Sequence, residues 1–205
     1  TESANVLVLG GGVVGTHAAK MAAGMGARVT IMDIDLERLR YLADVMPANC
    51  QVIHSSPFAI REKLPHADVV VGAILIEGAR APHLVRREDL KLMKDDGPVI
   101  VDVAVDQGGC VETCKPTTHA EPTFVIDGVV HYCVANMPGA VARTSTFALT
   151  NATAPWARKI ADLGTVGSIK DNTIRTAANV IGGKVTHKAV ADAFGMEYVD
   201  ALKTI

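Results

Sequence analysis

Through the first hundred positions of the chain, apolar residues gather in short unbroken blocks instead of alternating with polar ones. NVLVLG (5–10), RVTIMD (28–33), QVIH (51–54), DVVVGAIL (68–75) and PVIVDVAVD (98–106) are each rich in β-branched residues. Between them the spacing becomes that of a helix. VGTHAAKMAAGMG (14–26) puts Ala18, Met21 and Met25 on one side and stops at Gly26, and LERLRYLADVM (36–46) repeats Leu36, Leu39, Leu42 and Met46. Further helices are expected near 57–64 and 87–94. Strands without alternation are buried on both faces, and strands that take turns with helices build a parallel sheet covered on each side. The expected fold is α/β, a doubly wound parallel sheet.

Past residue 120 the pattern changes. PTFVIDGVVHYCVANM (122–137) sets Asp127-Gly128 between two β-rich runs, the signature of a hairpin. RTSTFALTNATAPWARKIADLG (143–164) reads as a long helix interrupted near Pro155, and GGKVTHKAVADAFGMEYVDAL (182–202) holds a short strand and helix of its own. The expected organisation is a sheet domain over 1–142 and a C-terminal helical extension over 143–205.

Composition narrows the function classes. A chain of 205 residues that is 49% hydrophobic and 20% charged can bury a sizeable core. A formal charge of −2 offers no broad positive field to phosphate backbones or anionic lipid, and 4% aromatics offer no base-stacking platform. Neither nucleic acid nor a membrane is expected as a partner. There is no apolar run of the ~18 residues that span a bilayer, and Thr1-Glu2-Ser3 lacks the basic-then-apolar order of a signal peptide. The expected location is the cytoplasm. Cys50, Cys110, Cys114 and Cys133 are too unevenly spaced for a disulfide framework. Cys110 and Cys114 with His119 nearby invite a zinc reading, but no second ligand pair completes four-coordination, so reduced thiols and no metal are expected.

The order of elements gives the first glycines their context. Gly10, Gly12 and Gly15 form G-x-G-x-x-G directly after a strand and at the entry to a helix. In that setting the first glycine permits a tight turn, the second lets backbone approach a pyrophosphate, and the third lets helix and strand pack closely. The helix N-terminus adds free N–H groups and partial positive charge. Asp33 ends the next strand, where a carboxylate can accept hydrogen bonds from both hydroxyls of an adenosine ribose and repel a 2′-phosphate. The expected cofactor is NAD. Arg38 is also a candidate cofactor residue; it is placed to meet a 2′-phosphate, although on an exposed helix turn it reads first as a solvated charge.

Chemistry should come from the C-terminal ends of the strands. VGAILIEGARAP (71–82), VDVAVDQGGC (101–110) and HYCVANMPGAV (131–141) arrive there. Asp102 and Asp106 share a face of the same expected strand, with Asp106 at its end before Gln107-Gly108-Gly109. Asp106 is therefore the carboxylate placed to reach a ligand, against the plainer role of a turn residue. Asn136 can bond a carbonyl or ribose, and Met137 can pack on a flat nicotinamide ring. His187, in KVTHKAV, lies outside this cluster and is taken as structural.

Taken together, VLVLGGGVVG, VDVAVDQGG, PTTHAEPTF and HYCVANMPGAVARTSTFALTNAT resemble the alanine dehydrogenase family, whose relative is the NAD-binding subunit of proton-translocating transhydrogenase. The resemblance runs over essentially the whole chain. It implies NAD-dependent oxidative deamination of L-alanine to pyruvate and ammonia, in a homo-oligomer, a hexamer in the family. It further implies that Asp106 works at the substrate and nicotinamide, that Asp33 holds the adenosine ribose, and that Asn136 and Met137 line the nicotinamide end. Ser56, Ile74, Leu75 and Val103 match positions near the cofactor. Family members carry a substrate-binding region before the glycine motif that is not present in this chain. The 205 residues are thus expected to be the cofactor half of an enzyme, with 143–205 packing on the substrate domain. Alternatives are a non-catalytic NAD(H)-binding module or a transhydrogenase-type subunit.

Overall fold

The computed structural model describes residues 1–76 and 82–205. Residues 77–81, within the segment 71–82 expected at the ligand end of the sheet, lie outside the described residues. Two compact units form, with described residues 1–76 and 82–137 in the first and 138–205 in the second.

Among the described residues the first unit holds a seven-stranded sheet. Its strands are β1 (Asn5–Leu9), β2 (Arg28–Asp33), β3 (Cys50–His54), β4 (Val69–Gly72), β5 (Val99–Asp102), β6 (Thr123–Ile126) and β7 (Val129–Tyr132), in the order β3-β2-β1-β4-β5-β7-β6. All pair in parallel except β6, which returns on β7 through the expected hairpin. Asp127 and Gly128 both take positive φ there, at 50° and 84°, as a two-residue type I′ turn requires. The apolar blocks are explained by burial on two faces. Val6 and Val8 of β1 face Ala19, Ala23 and Leu42. Leu7 and Leu9, the alternate positions, face Ile60, Leu64 and Leu90.

The helices are α1 (Val13–Gly24), α2 (Leu36–Val45) and α3 (Pro57–Lys63). Three expectations change. In α1 the buried face is Gly15, Thr16, Ala19 and Ala23, whereas Met21 and Met25 are exposed. Small residues let the helix lie close to the sheet, so the larger apolar side chains are turned outward. The helix near 87–94 is one 3-10 segment, Arg87–Leu92. The strand over 98–106 stops at Asp102, and Asp106 sits in a 3-10 turn, Val105–Gln107; the two aspartates therefore do not share a strand face.

Asp68, just before β4, ties the start of β1 by accepting from the Asn5 N–H at 2.6 Å and pairs with Lys94. The Asn5 N–H and the Lys94 ammonium hold its carboxyl below the usual range. A lowered folded pKa means that this stabilisation is complete above the unfolded value of about 3.9 and is lost as pH falls through the folded one. Asp68→Asn is expected to lower the urea midpoint at neutral pH and to flatten its decline below about pH 4, read by denaturation at stepped pH.

In the second unit α4 (Ala142–Lys170) runs on through Pro155, and its break lies at Gly164, with φ 63° and ψ −177°. This corrects the interruption expected at Pro155. Proline's fixed φ is itself helical and removes one hydrogen bond, whereas a left-handed φ suits glycine. Asp171 caps α5 (Asn172–Thr176) by accepting from the Thr173 and Ile174 N–H groups. Strands β8 (Val180–Ile181) and β9 (Lys184–Val185) form a hairpin across Gly182-Gly183, and α6 (Lys188–Phe194) follows with His187 at its N-cap. Among the described residues no helix is long and apolar enough to cross a membrane.

Candidate functional site

The glycine loop lies where strand order reverses, since β1 has β2 on one side and β4 on the other. In doubly wound sheets this crevice receives the ligand. Gly10 has φ +101°, and a Cβ there would stand 2.7 Å from the Ala73 carbonyl oxygen. A Cβ on Gly15 would stand 1.8 Å from the Gly10 carbonyl oxygen, so the first turn of α1 rests directly on the loop. Gly12 is the N-cap of α1; among the described residues no side chain caps it, and a Cβ there would meet nothing within 4 Å. Open space above uncapped N–H groups, at the positive end of a helix, suits a pyrophosphate.

Asp33 ends β2 and reaches back to this loop. Its Oδ2 accepts from the Gly11 N–H at 2.7 Å and its Oδ1 from the Asp35 N–H at 2.9 Å. Each carboxylate oxygen retains a lone pair for a hydroxyl. Arg38 is not a solvated charge. Its Nε donates to the Gly11 carbonyl at 2.6 Å and its Nη2 to Thr16 Oγ1 at 2.9 Å, while Thr16 itself donates to the Gly11 carbonyl at 3.0 Å. The guanidinium also lies 5.0 Å from the centre of the Tyr41 ring. Arg38 is thus half-buried and gives donors to the glycine loop and to the start of α1. Thr16 belongs to no motif in the sequence; its signal is a hydroxyl directly after Gly15.

At the ends of β4 and β5, Ile74, Leu75, Val103 and Asp106 line a recess of about 250 Å³ together with Val14, Ala73, Ala104 and Gln107. Its walls are mainly aliphatic and Asp106 is exposed on its rim. The Asn136 N–H donates to Asp106 Oδ2 at 3.4 Å, and Asn136 has φ 54°. Met137, half-buried, follows directly. Ser56 stands apart from these residues as the N-cap of α3, accepting from the Ala59 N–H at 3.1 Å. It follows β3, whose His54 is in register with Asp33.

What presents Asp106 is the other aspartate. Asp102 is fully buried, and its carboxylate accepts from the Cys110 N–H at 2.8 Å, the Val111 N–H at 3.1 Å and the Ala104 N–H at 3.0 Å. Desolvation pushes its pKa up, against the pull of these three donors. The chain from 103 to 111 is thereby folded around one carboxylate. Gly109, at φ +70°, must be glycine beside it, because a Cβ would stand 2.7 Å from Asp102 Oδ2. Burial raises the Cys110 thiol to about 12, so it is an inert core group at neutral pH. The neighbouring Cys133 thiol and burial push the Cys114 thiol up. All four cysteines are unpaired. Among the described residues no group of three or more His, Cys, Asp and Glu side chains is arranged to hold a metal ion, and His119 instead meets the Asn136 carbonyl, Nε2 to oxygen 3.1 Å.

Strand order, a glycine loop at the switch point and a carboxylate at the end of β2 define a dinucleotide-binding domain of the doubly wound α/β class. The family model described as "Alanine dehydrogenase/PNT, C-terminal domain" matches residues 1–188, and the chain belongs to that family. It is 54% identical over 203 residues to the alanine dehydrogenase of Halomonas elongata, covering 98% of this chain and 54% of that protein. A solved L-alanine dehydrogenase is 47% identical with a TM-score of 0.85, over 94% of this chain and 53% of that one. The transhydrogenase from Sinorhizobium meliloti is 26% identical with a TM-score of 0.73, over 92% and 51%. The chain spans about half the length of the curated relatives it matches.

Proposed function

We propose that this chain is the cofactor half of an NAD-dependent alanine dehydrogenase, which oxidises L-alanine to pyruvate and ammonia. The observation that carries the reading is the aliphatic recess at the ends of β4 and β5 with Asp106 on its rim, in a chain so similar to an alanine dehydrogenase. The residues present fit the cofactor. The loop from Gly10 to Gly12 and the start of α1 receive the pyrophosphate, and Asp33 takes the ribose hydroxyls. Arg38 acts by holding the loop. Ser56 lies on the adenosine side, and Ile74, Leu75, Val103 and Met137 wall the nicotinamide and keep water from it. When bound, NAD supplies the hydride acceptor for the substrate Cα. Asp106 provides negative charge beside the substrate nitrogen as the imine forms and orients the water that then adds to the imine carbon. Asn136 borders the same end.

A second reading, an NAD(H)-binding subunit that passes hydride to another protein, is supported by the likeness to transhydrogenase. Alanine-dependent reduction of NAD by the native full-length protein separates the two: turnover supports the first, and NADH binding without turnover supports the second. The nucleotide preference has its own test. NADH is expected to bind much more tightly than NADPH, and Asp33→Ala to weaken NADH by about tenfold or more, as loss of hydrogen bonds to a charged group costs ~1.5–3 kcal/mol. The gap to NADPH should narrow in that variant. Equal affinities of the unmodified protein in a fluorescence titration would remove Asp33 from this role.

A further inference from the structure

Among the described residues two that are not glycine take positive φ, Asp127 and Asn136. Asp127 occupies a hairpin turn that requires it. Asn136 lies outside that hairpin, in a turn whose left-handed backbone asparagine adopts more readily than most residues. Both of its main-chain groups are engaged: the N–H by Asp106 Oδ2 at 3.4 Å, and the carbonyl by His119 Nε2 at 3.1 Å. A carbonyl only accepts, so His119 Nε2 carries the proton and donates. His119 projects from a segment that is itself anchored. Thr117 gives its N–H to the Cys133 carbonyl at 2.9 Å and receives the Ala135 N–H at 3.0 Å, while its hydroxyl donates to the Pro122 carbonyl at 2.9 Å.

We propose that His119 is a positioning residue: by holding the Asn136 carbonyl it keeps Asn136 left-handed, and so keeps the Asn136 N–H on the Asp106 carboxylate. The role rests on the reading that Asp106 serves the reaction. An aspartate on an exposed rim turns freely about its side-chain bonds, and a donor held in place, even through a long bond of 3.4 Å, biases it toward one orientation. Misplacing a reacting group by about 1 Å can cost up to ~10²-fold in rate, and a carboxylate that still visits the right orientation loses less.

The test uses the native full-length protein with His119→Phe, which loses the donor, and His119→Gln, which places an amide N–H at similar reach. In His119→Phe the Asn136 amide is expected to exchange hydrogen faster, read by mass spectrometry on the peptide that contains it. The kcat for alanine oxidation should fall about tenfold with the KM for NAD near that of the unmodified protein. In His119→Gln both readouts should return to within about twofold of it. Unchanged exchange and kcat in the Phe variant overturns the inference, as does a Gln variant impaired as much as Phe, which marks a merely structural histidine. Asp106→Asn is measured alongside. Loss of activity there with a silent His119→Phe means that the positioning role alone has failed. If Asp106→Asn retains full activity, the reading of Asp106 has failed, and exchange at Asn136 still reports whether His119 holds the backbone.

Discussion

In the native full-length protein, Asp106→Asn is expected to lower kcat for alanine oxidation by ~10²-fold or more, the usual scale for a positioned acid–base or electrostatic group. The amide keeps the shape and removes the charge. Asp106 sits exposed in a 3-10 turn on the rim of the recess and, among the described residues, its side chain makes one long hydrogen bond, to the Asn136 N–H at 3.4 Å. Its replacement should therefore leave the unfolding midpoint and the NADH affinity nearly unchanged. Near-normal kcat in the variant would reduce Asp106 to a turn residue.

Asp102→Ala should behave in the opposite way, with stability falling by about 3 kcal/mol or more. It strands the buried N–H groups of Cys110 and Val111 and the partly buried one of Ala104, and each buried donor left unpaired costs about 1–3 kcal/mol. Part of that loss is offset because a desolvated carboxylate, with its pKa pushed up by burial, leaves the core. Urea unfolding of the variant measures the balance. A change below about 1 kcal/mol would mean that the segment from 103 to 111 refolds around other acceptors. Activity should fall with it as the turn that presents Asp106 loosens, and kcat should not recover when the variant is refolded in excess NAD.

These two aspartates stand four residues apart in VDVAVD, and their division of labour shows where sequence reading stops. Read as a strand to 106, the segment places both carboxylates on one face. The structure ends the strand at Asp102 because three main-chain donors converge on that side chain, two of them from eight and nine residues further on. Nothing in the local pattern of apolar residues encodes which carboxylate is enclosed. Arg38 repeats the lesson: its sequence neighbours suggest an exposed helix turn, and its partners Gly11 and Thr16 lie 27 and 22 residues away. The same holds for His119, whose acceptor is 17 residues distant.

By itself the sequence determined the parallel sheet, the glycine loop at the entry to α1, the acid at the end of β2 and the hairpin at Asp127-Gly128. Each of these follows from short-range rules: side-chain period, the φ that glycine permits, and the turn chemistry of adjacent residues. Only the tertiary structure decided that α1 buries its small residues and exposes Met21 and Met25, that the long helix breaks at Gly164 and not at Pro155, and which charged groups bind backbone instead of water. Those outcomes depend on how closely two elements approach and on hydrogen bonds between residues far apart in the chain, where desolvation makes an unpaired donor or acceptor costly and so selects one arrangement.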